Sequence, residues 1–256
     1  MNHREYRQMF QVEDFHWWYV ALHELIVTVV TRQADTAGPL RLLDAGCGTG
    51  RLCQLLRKFG SVSGCDISAE ALDCCLERGV EEIFRADLNN ADFHANHYDV
   101  IASIDTLYHL AIKDENVVLG KFHEALKPGG ILILNLVAHE FLRSSHDVAV
   151  HTRRRYTRGE VVAMLERAGF TVERATYRLG FLFLPIALCR LLKKRTKAAA
   201  QPTEVASDVV APHPLLNRLL LGISRLENRL LCYCNLPIGT SVFAVARKRY
   251  VQGTIS

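Results

Sequence analysis

Short, nearly continuous apolar runs such as Leu42-Leu43, Val100-Ile101-Ala102 and Ile131-Leu132-Ile133-Leu134 punctuate this chain, and between them apolar residues recur every three or four positions. Continuous runs suit strands buried on both faces, and the wider spacing suits helices with one apolar stripe. Helices are predicted over residues 20–32, leading into Pro39 and a first strand, and over 51–59, 69–78 and 115–126 between successive strands. Asp114 is placed to cap the last of these, and Thr157 with Glu160 forms a capping box that opens a helix ending near Gly169. Strands are predicted over 171–177 and 241–247. Strand and helix alternate, so the sheet should be mainly parallel. No internal repeat is present.

The first strand ends in Asp44 and runs into Ala45-Gly46-Cys47-Gly48-Thr49-Gly50. Glycine at every second position permits positive φ at a strand-to-helix turn and lets backbone N–H groups approach a ligand. A dinucleotide loop needs G-x-G-x-x-G, but after Gly46 and Gly48 the sixth position is Arg51. Asp44 decides between ligands, because a carboxylate at the mouth of the loop repels a pyrophosphate and suits an ammonium or sulfonium. That points to S-adenosylmethionine. A second strand, Ser61-Val62-Ser63-Gly64-Cys65-Asp66, ends in an acid about 20 residues beyond the loop, where such folds grip a ribose diol.

With these motifs the chain resembles the class I S-adenosylmethionine-dependent methyltransferases. Asp66-Ile67 matches the ribose and adenine-edge position, and Ala86-Asp87-Leu88 the loop whose acid receives the adenine amino group. Residues 98–105 resemble the fourth strand, with Ser103 beside the methionine moiety, and Lys127-Pro128-Gly129-Gly130 the turn before the fifth. The resemblance covers most of residues 40–178. It implies a doubly wound, mainly parallel seven-stranded α/β sheet with helices on both faces, an antiparallel last strand and a helical insertion before it. The implied cofactor-binding set is Asp44, Gly46, Cys47, Gly48, Gly50, Asp66, Ile67, Asp87, Leu88, Ser103 and Trp18. The expected organisation is an N-terminal helical lid (1–34), the cofactor-binding core (35–178), a helical insertion or cap (179–238) and a final strand and tail (239–256).

Composition bounds this reading. A chain of 256 residues with 49% hydrophobic content buries a substantial core, and a net charge of +4 does not mark a nucleic-acid binder. The eight cysteines include no C-x-x-C pair, so buried thiols in a reducing compartment are expected, with neither zinc nor a disulfide framework. No carboxylate cluster for a catalytic metal is identified. The N-terminus, Met1-Asn2-His3-Arg4-Glu5-Tyr6, is polar and lacks a secretory apolar region, which suggests the cytoplasm.

Two flanking segments add to the core. Glu13-Asp14-Phe15-His16-Trp17-Trp18-Tyr19 holds both tryptophans and is similar to a segment of bacterial methyltransferases in which a helix covers the cofactor cleft. An aromatic lid excludes water and tolerates a sulfonium; the alternative is a helix stapled to the core by one indole. Residues 181–189 are apolar and turn basic at Arg190, Lys193, Lys194, Arg195 and Lys197, a polar loop is expected over 198–214, and residues 215–231 form an amphipathic helix with Arg218, Arg225 and Arg229 on one face. These helices either wall the acceptor pocket or rest, through 181–197 and 215–231, on an anionic membrane.

Acceptor-side candidates follow the fourth and fifth strands. Asp105-Thr106-Leu107-Tyr108-His109 projects polar groups from the carboxyl end of the sheet. His109, His146 and Tyr108 are the catalytic candidates, because imidazole titrates near pH ~6.5 and can accept a hydroxyl or ammonium proton. Asn135, Arg155 and Tyr156 are the substrate-binding candidates. The implied activity is transfer of a methyl group to oxygen or nitrogen of a small-molecule acceptor, releasing S-adenosyl-L-homocysteine. The alternatives are intramolecular cyclisation of the cofactor and a non-catalytic cofactor-binding scaffold.

Overall fold

The computed structural model describes residues 3–144, 147–148, 150–196 and 212–250. Seven strands form one sheet: β1 (Leu40–Ala45), β2 (Gly60–Asp66), β3 (Ile83–Arg85), β4 (Tyr98–Ile104), β5 (Leu126–Val137), β6 (Phe170–Arg178) and β7 (Ser241–Lys248). Their order is β3-β2-β1-β4-β5-β7-β6. The first five strands are parallel, and β7 runs antiparallel to both neighbours. The order reverses at β1, so the carboxyl ends of β1 and β4 diverge there and open the crevice in which such sheets bind ligands.

Helices cover both faces. On one side α5 (Glu115–Ala125) and α6 (Arg158–Arg167) bury Leu119, Phe122, Val161 and Leu165 against Ile101, Leu132 and Leu134. On the other, α2 (Trp17–Ala37) and α3 (Arg51–Leu56) bury Leu22, Ile26, Val30, Leu52 and Leu56 against Leu42, Val100 and Ile133. The remaining helices are α1 (His3–Val12), α4 (Ala69–Glu77), α7 (Gly180–Thr196) and α8 (Pro214–Leu231). Asp114 caps α5, and Thr157 and Glu160 form the predicted capping box of α6.

The structure differs from the periodicity in three places. α2 starts three residues before the predicted helix because His16 Nδ1 accepts from Trp18 N at 3.3 Å and so caps it. The helix predicted over 51–59 ends at Leu56 and tightens into a 3₁₀ turn over Arg57–Phe59. The cleft-covering helix is α1, and residues 13–16 only join it to α2. The polar loop expected over 198–214 lies outside the described residues up to 211, and so does His146.

The insertion is tied to the N-terminal helix. Asn217 accepts from Trp17 N at 2.9 Å and donates to Phe15 O at 2.8 Å, Asn228 donates to Ala21 O at 2.7 Å, and Arg225 pairs with Glu24 at 2.6 Å. α8 therefore holds the start of α2, with its three aromatic residues, at the open end of the sheet.

Candidate cofactor and acceptor site

A cavity of about 480 Å³ occupies the crevice at the carboxyl ends of β1, β2 and β4. Its size suits a small-molecule site. At one end lies the glycine loop. Gly46 and Gly48 adopt φ of +87° and +53°, left-handed values that L side chains rarely take. A Cβ at Gly46 would stand 2.2 Å from Thr106 Oγ1, so the loop passes directly against the segment after β4. Asp66 ends β2 at the same wall, and its two oxygens accept from Gly48 N at 3.1 Å and Ser68 N at 3.0 Å.

Asp44 lies beneath this loop and is 2% exposed. Burial pushes its carboxyl up to about 7, against the opposing hydrogen bond from Cys53 Sγ. Desolvation also raises Asp66, and the N–H groups of Ser68 and Gly48 counter it. A bound cation offsets the desolvation of both acids. Ile67, Asp87 and Leu88 continue the same wall. Asp87 orders its own turn, accepting from Asn89 N at 3.0 Å and Asn90 Nδ2 at 3.0 Å.

The roof is α1 and the start of α2. Tyr6 and Met9 face the loop from α1, and Trp18 packs edge-on against Tyr19 at 4.9 Å between ring centroids. α1 is fastened by Glu13, which is 4% exposed, accepts from Thr49 Oγ1, and pairs with Arg78 at 2.7 Å. Arg78 also donates to Phe10 O at 2.9 Å and stacks on the Phe10 ring at 4.4 Å.

The segment after β4 and its neighbours line the same cavity. Asp105, Tyr108 and His109 line it after β4, with His23 from α2, Arg155, and Ile186 from α7. Asp105 has φ +55°, rare for a residue with a side chain. Asn135 Nδ2 donates to both of its oxygens at 3.1 Å, and burial raises its carboxyl to about 7. His109 Nδ1 accepts from Ala111 N at 3.1 Å and its ring stacks on His151 at 5.5 Å; burial lowers it to about 4. Burial raises the Tyr108 phenol well above its ordinary value.

The structure brings most of the sequence-predicted residues to one cavity: Asp44, Gly46, Cys47, Gly48, Asp66, Ile67, Asp87, Leu88, Trp18, Tyr108, His109 and Arg155. Others are placed elsewhere. Gly50 sits at the N-cap of α3 against Cys75, and Ser103 is fully buried inside β4. Asn135 is buried in β5 and acts on Asp105, while Tyr156 is fully buried with the Arg154 guanidinium stacked on it at 4.3 Å. Arg155 reaches the cavity wall, yet its guanidinium is committed to Asp147 at 2.8 and 3.1 Å and to Ala138 O at 2.8 Å. It braces the loop after β5, and its Nε and one N–H of each terminal nitrogen are already taken. Tyr6 and Met9, which line the cavity, and Arg78, which fastens α1, were not predicted as site residues, whereas Glu13 opens the segment expected to cover the cleft.

The sheet order, the acid-ended β1, the positive-φ glycine loop and the β2 acid define the class I S-adenosylmethionine-dependent methyltransferases. Residues 43–134 match the family model described as a methyltransferase domain. It is 36% identical over 109 residues to a ubiquinone biosynthesis O-methyltransferase of Chelativorans sp. (strain BNC1), covering 40% of this chain and 42% of that protein. It is 31% identical over 141 residues to phosphoethanolamine N-methyltransferase 3 of Arabidopsis thaliana, covering 51% of this chain and 28% of that one. The chain thus spans less than half the length of either relative. The structure of phosphoethanolamine N-methyltransferase 2 of Haemonchus contortus with S-adenosyl-L-methionine superposes with a TM-score of 0.53 at 20% identity, over 86% of this chain and 53% of that one. The cofactor that this cavity fits is S-adenosylmethionine: Gly46 and Gly48 leave room for a close backbone approach, and the carboxylates of Asp44 and Asp66 stand at the loop.

If Asp66 holds the ribose diol, Asp66→Ala removes those acceptors together with the restraint on Gly48. Binding of S-adenosylmethionine should weaken about ten- to hundredfold, as for lost charge-assisted hydrogen bonds of roughly 1.5–3 kcal/mol. Calorimetry showing unchanged affinity in a folded variant would remove Asp66 from the ribose position.

Proposed function

We propose that this protein is an enzyme that transfers a methyl group from S-adenosylmethionine to an oxygen or nitrogen of a small-molecule acceptor. One observation carries the reading: a single cavity joins the cofactor loop to a wall of Asp105, Tyr108 and His109 at the end of β4. When bound, S-adenosylmethionine supplies an electrophilic methyl group on a sulfonium. The residues of the chain align and enclose. The α1–α2 roof excludes water, Asp44 and Asp66 set the potential at the loop, and the β4 wall presents proton acceptors to the nucleophile.

The test is incubation of the purified protein with S-adenosylmethionine and a metabolite extract. S-adenosylhomocysteine formation supports transfer, methylthioadenosine would assign cyclisation, and neither product would leave a binding scaffold. Among the described residues, no group of three or more His, Cys, Asp or Glu is arranged to hold a metal, and no helix is long and apolar enough to cross a membrane.

A peripheral membrane contact from the cytoplasm is part of this proposal, and α8 supplies its observation. Leu215, Leu219, Leu226 and Leu230 fall on one exposed stripe of α8, and Arg218, Arg225 and Arg229 run beside it. Phe181, Leu184 and Leu188 make a second exposed stripe on α7, whose Ile186 faces the cavity. Apolar stripes flanked by arginine suit an anionic bilayer, where each basic residue contributes roughly 1 kcal/mol. The protein should co-sediment with phosphatidylglycerol vesicles and less with phosphatidylcholine, and added salt should release it. Absence of sedimentation with anionic vesicles at low salt would leave these helices only as the wall of the pocket.

A further inference from the structure

We propose that Asp105 is the catalytic base that takes the proton from the acceptor nucleophile, and that Arg178, buried at the end of β6, is the positioning residue whose charge balances this carboxylate. The inference rests on the methyl-transfer reading above and names the residues that would carry its proton.

The placement comes first. Asp105 follows β4 directly, lines the cavity, and holds φ +55°. A residue with a side chain keeps that conformation only where its surroundings impose it, and such positions concentrate at sites of function. Here they do impose it: Asp105 N donates to Asn135 O at 2.9 Å while Asn135 Nδ2 holds the carboxylate from the other side. Asp105 lines the cavity, so an acceptor that fills the cavity meets this carboxylate.

The other titratable groups at this wall are poorer bases. His109 is lowered to about 4 and its Nδ1 already accepts from Ala111 N. His23 is lowered to about 3 by burial and by nearby arginines, Arg178 among them. Tyr108 and Tyr19 are both pushed upward, first by burial and then by neighbouring acids that include Asp105, so they remain protonated donors. Asp105, near 7, is the carboxylate whose affinity for a proton approaches that of a phenol or ammonium nucleophile in this wall.

Arg178 counters part of the burial that raises this group. It is fully buried, and none of its three guanidinium nitrogens has a hydrogen-bond partner among the described residues. An unpaired buried cation is costly unless opposite charge stands near it. Two carboxylates do so: Glu227 of α8, whose oxygens accept from Leu179 N at 2.5 Å and Gly180 N at 2.7 Å, and Asp105. Arg178 and Asn135 both pull the Asp105 proton affinity down against burial, as does Tyr108. The groups facing Asp105 are thus Asn135 from β5, Arg178 from β6, Tyr19 from α2 and its own neighbour Tyr108, with Glu227 behind Arg178.

The step balances. The nucleophile's lone pair forms the new bond to the methyl carbon, the carbon–sulfur bond breaks with its electron pair remaining on sulfur, and the nucleophile's proton passes to an Oδ atom of Asp105. Release of that proton to solvent after product departure restores the carboxylate.

The experiment has two readouts. In the first, the carboxyl carbons of aspartate are labelled with ¹³C, Asp105 is assigned from the signal missing in Asp105→Asn, and the protein is titrated without cofactor or acceptor. Titration of Asp105 near neutral pH, moving upward by about one unit in Arg178→Met and returning in Arg178→Lys, is the expected result. Titration at the ordinary carboxyl value, or no response to Arg178→Met, overturns the proposal even if no acceptor is found. In the second, S-adenosylhomocysteine release from a metabolite extract is followed. Asp105→Asn should lower turnover by roughly 10²–10⁴-fold with cofactor affinity retained, and Arg178→Met should shift the acid limb of the pH profile upward. Turnover by Asp105→Asn at the parent rate overturns the assignment of the base and leaves methyl transfer standing; a parent protein that releases no S-adenosylhomocysteine overturns methyl transfer and the base together.

Discussion

Gly46→Ala abolishes measurable binding of S-adenosylmethionine while the sheet remains folded. Two effects coincide at this one position. Its φ of +87° is left-handed, where a Cβ costs about 1–2 kcal/mol. The added carbon would also lie 2.2 Å from Thr106 Oγ1, 2.6 Å from Cγ2 and 2.9 Å from Cβ, so the glycine loop and the segment after β4 must separate. Overpacking of this kind costs about 1–3 kcal/mol more. Both walls of the cavity move, because Thr106 directly follows Asp105. Gly79→Ala is the control: φ is +72° there, but nothing lies within 4 Å of the new carbon. That variant should lose stability by the strain alone and bind cofactor normally. Calorimetry and thermal melts on both variants decide the matter. Gly46→Ala binding at parent affinity would show that the loop does not need its close approach to Thr106.

The contrast between these two glycines also explains what was legible in the sequence. Positive φ at Gly46 and Gly48 follows from residue type and spacing, so the cofactor loop could be read directly. The strand acids could be read as well, since Asp44 and Asp66 end apolar runs and their positions along the chain fix the carboxyl edge of the sheet. An antiparallel last strand was expected from the family resemblance, whereas no local signal specifies its place between β5 and β6.

The acceptor side was less legible because its chemistry depends on who meets whom in space. Arg155 and Tyr156 look like ligand-binding residues by type, yet the fold buries Tyr156 and pairs Arg155 with Asp147. Arg178 looks like the polar end of a strand but is fully buried, because Glu227, 49 positions further on by number, caps the start of α7 beside it. Asp105 was visible only as one polar residue among several after β4; its backbone strain and its bonds to Asn135 distinguish it. An N-terminal helical lid was expected, but its contacts with the loop were not placed, for a related reason. The two tryptophans drew attention to residues 13–19, while the contacts that seal the loop come from Tyr6 and Met9, which carry no motif.

Deletion of residues 1–12 should leave the sheet and its packed helices folded and speed S-adenosylmethionine dissociation at least a hundredfold. α1 contributes little to either core cluster but covers the loop: Tyr6 is 7% exposed and lies by Asp66 and Ser68, and Met9 Cε is 2.8 Å from where a Cβ of Gly48 would stand. Its anchor is the Glu13–Arg78 pair, whose side chains are 5% and 6% exposed. Breaking a buried pair by removing one partner costs about 3–5 kcal/mol, so Glu13→Ala should reproduce much of the deletion. The anchor also carries a pH signature. Burial raises the Glu13 carboxyl to about 6 from an ordinary 4.5, against the hydrogen bond from Thr49 and the charge of Arg78. The folded form therefore holds this proton more tightly, and the associated stability, about 2 kcal/mol, is fully present below pH 4.5 and lost as pH rises through 6. Glu13→Gln should flatten that part of the stability–pH curve between pH 4.5 and 7. Stopped-flow dissociation of the cofactor at several pH values measures both effects, and a deletion variant that releases cofactor at the parent rate would show that α1 rests on the loop without closing it.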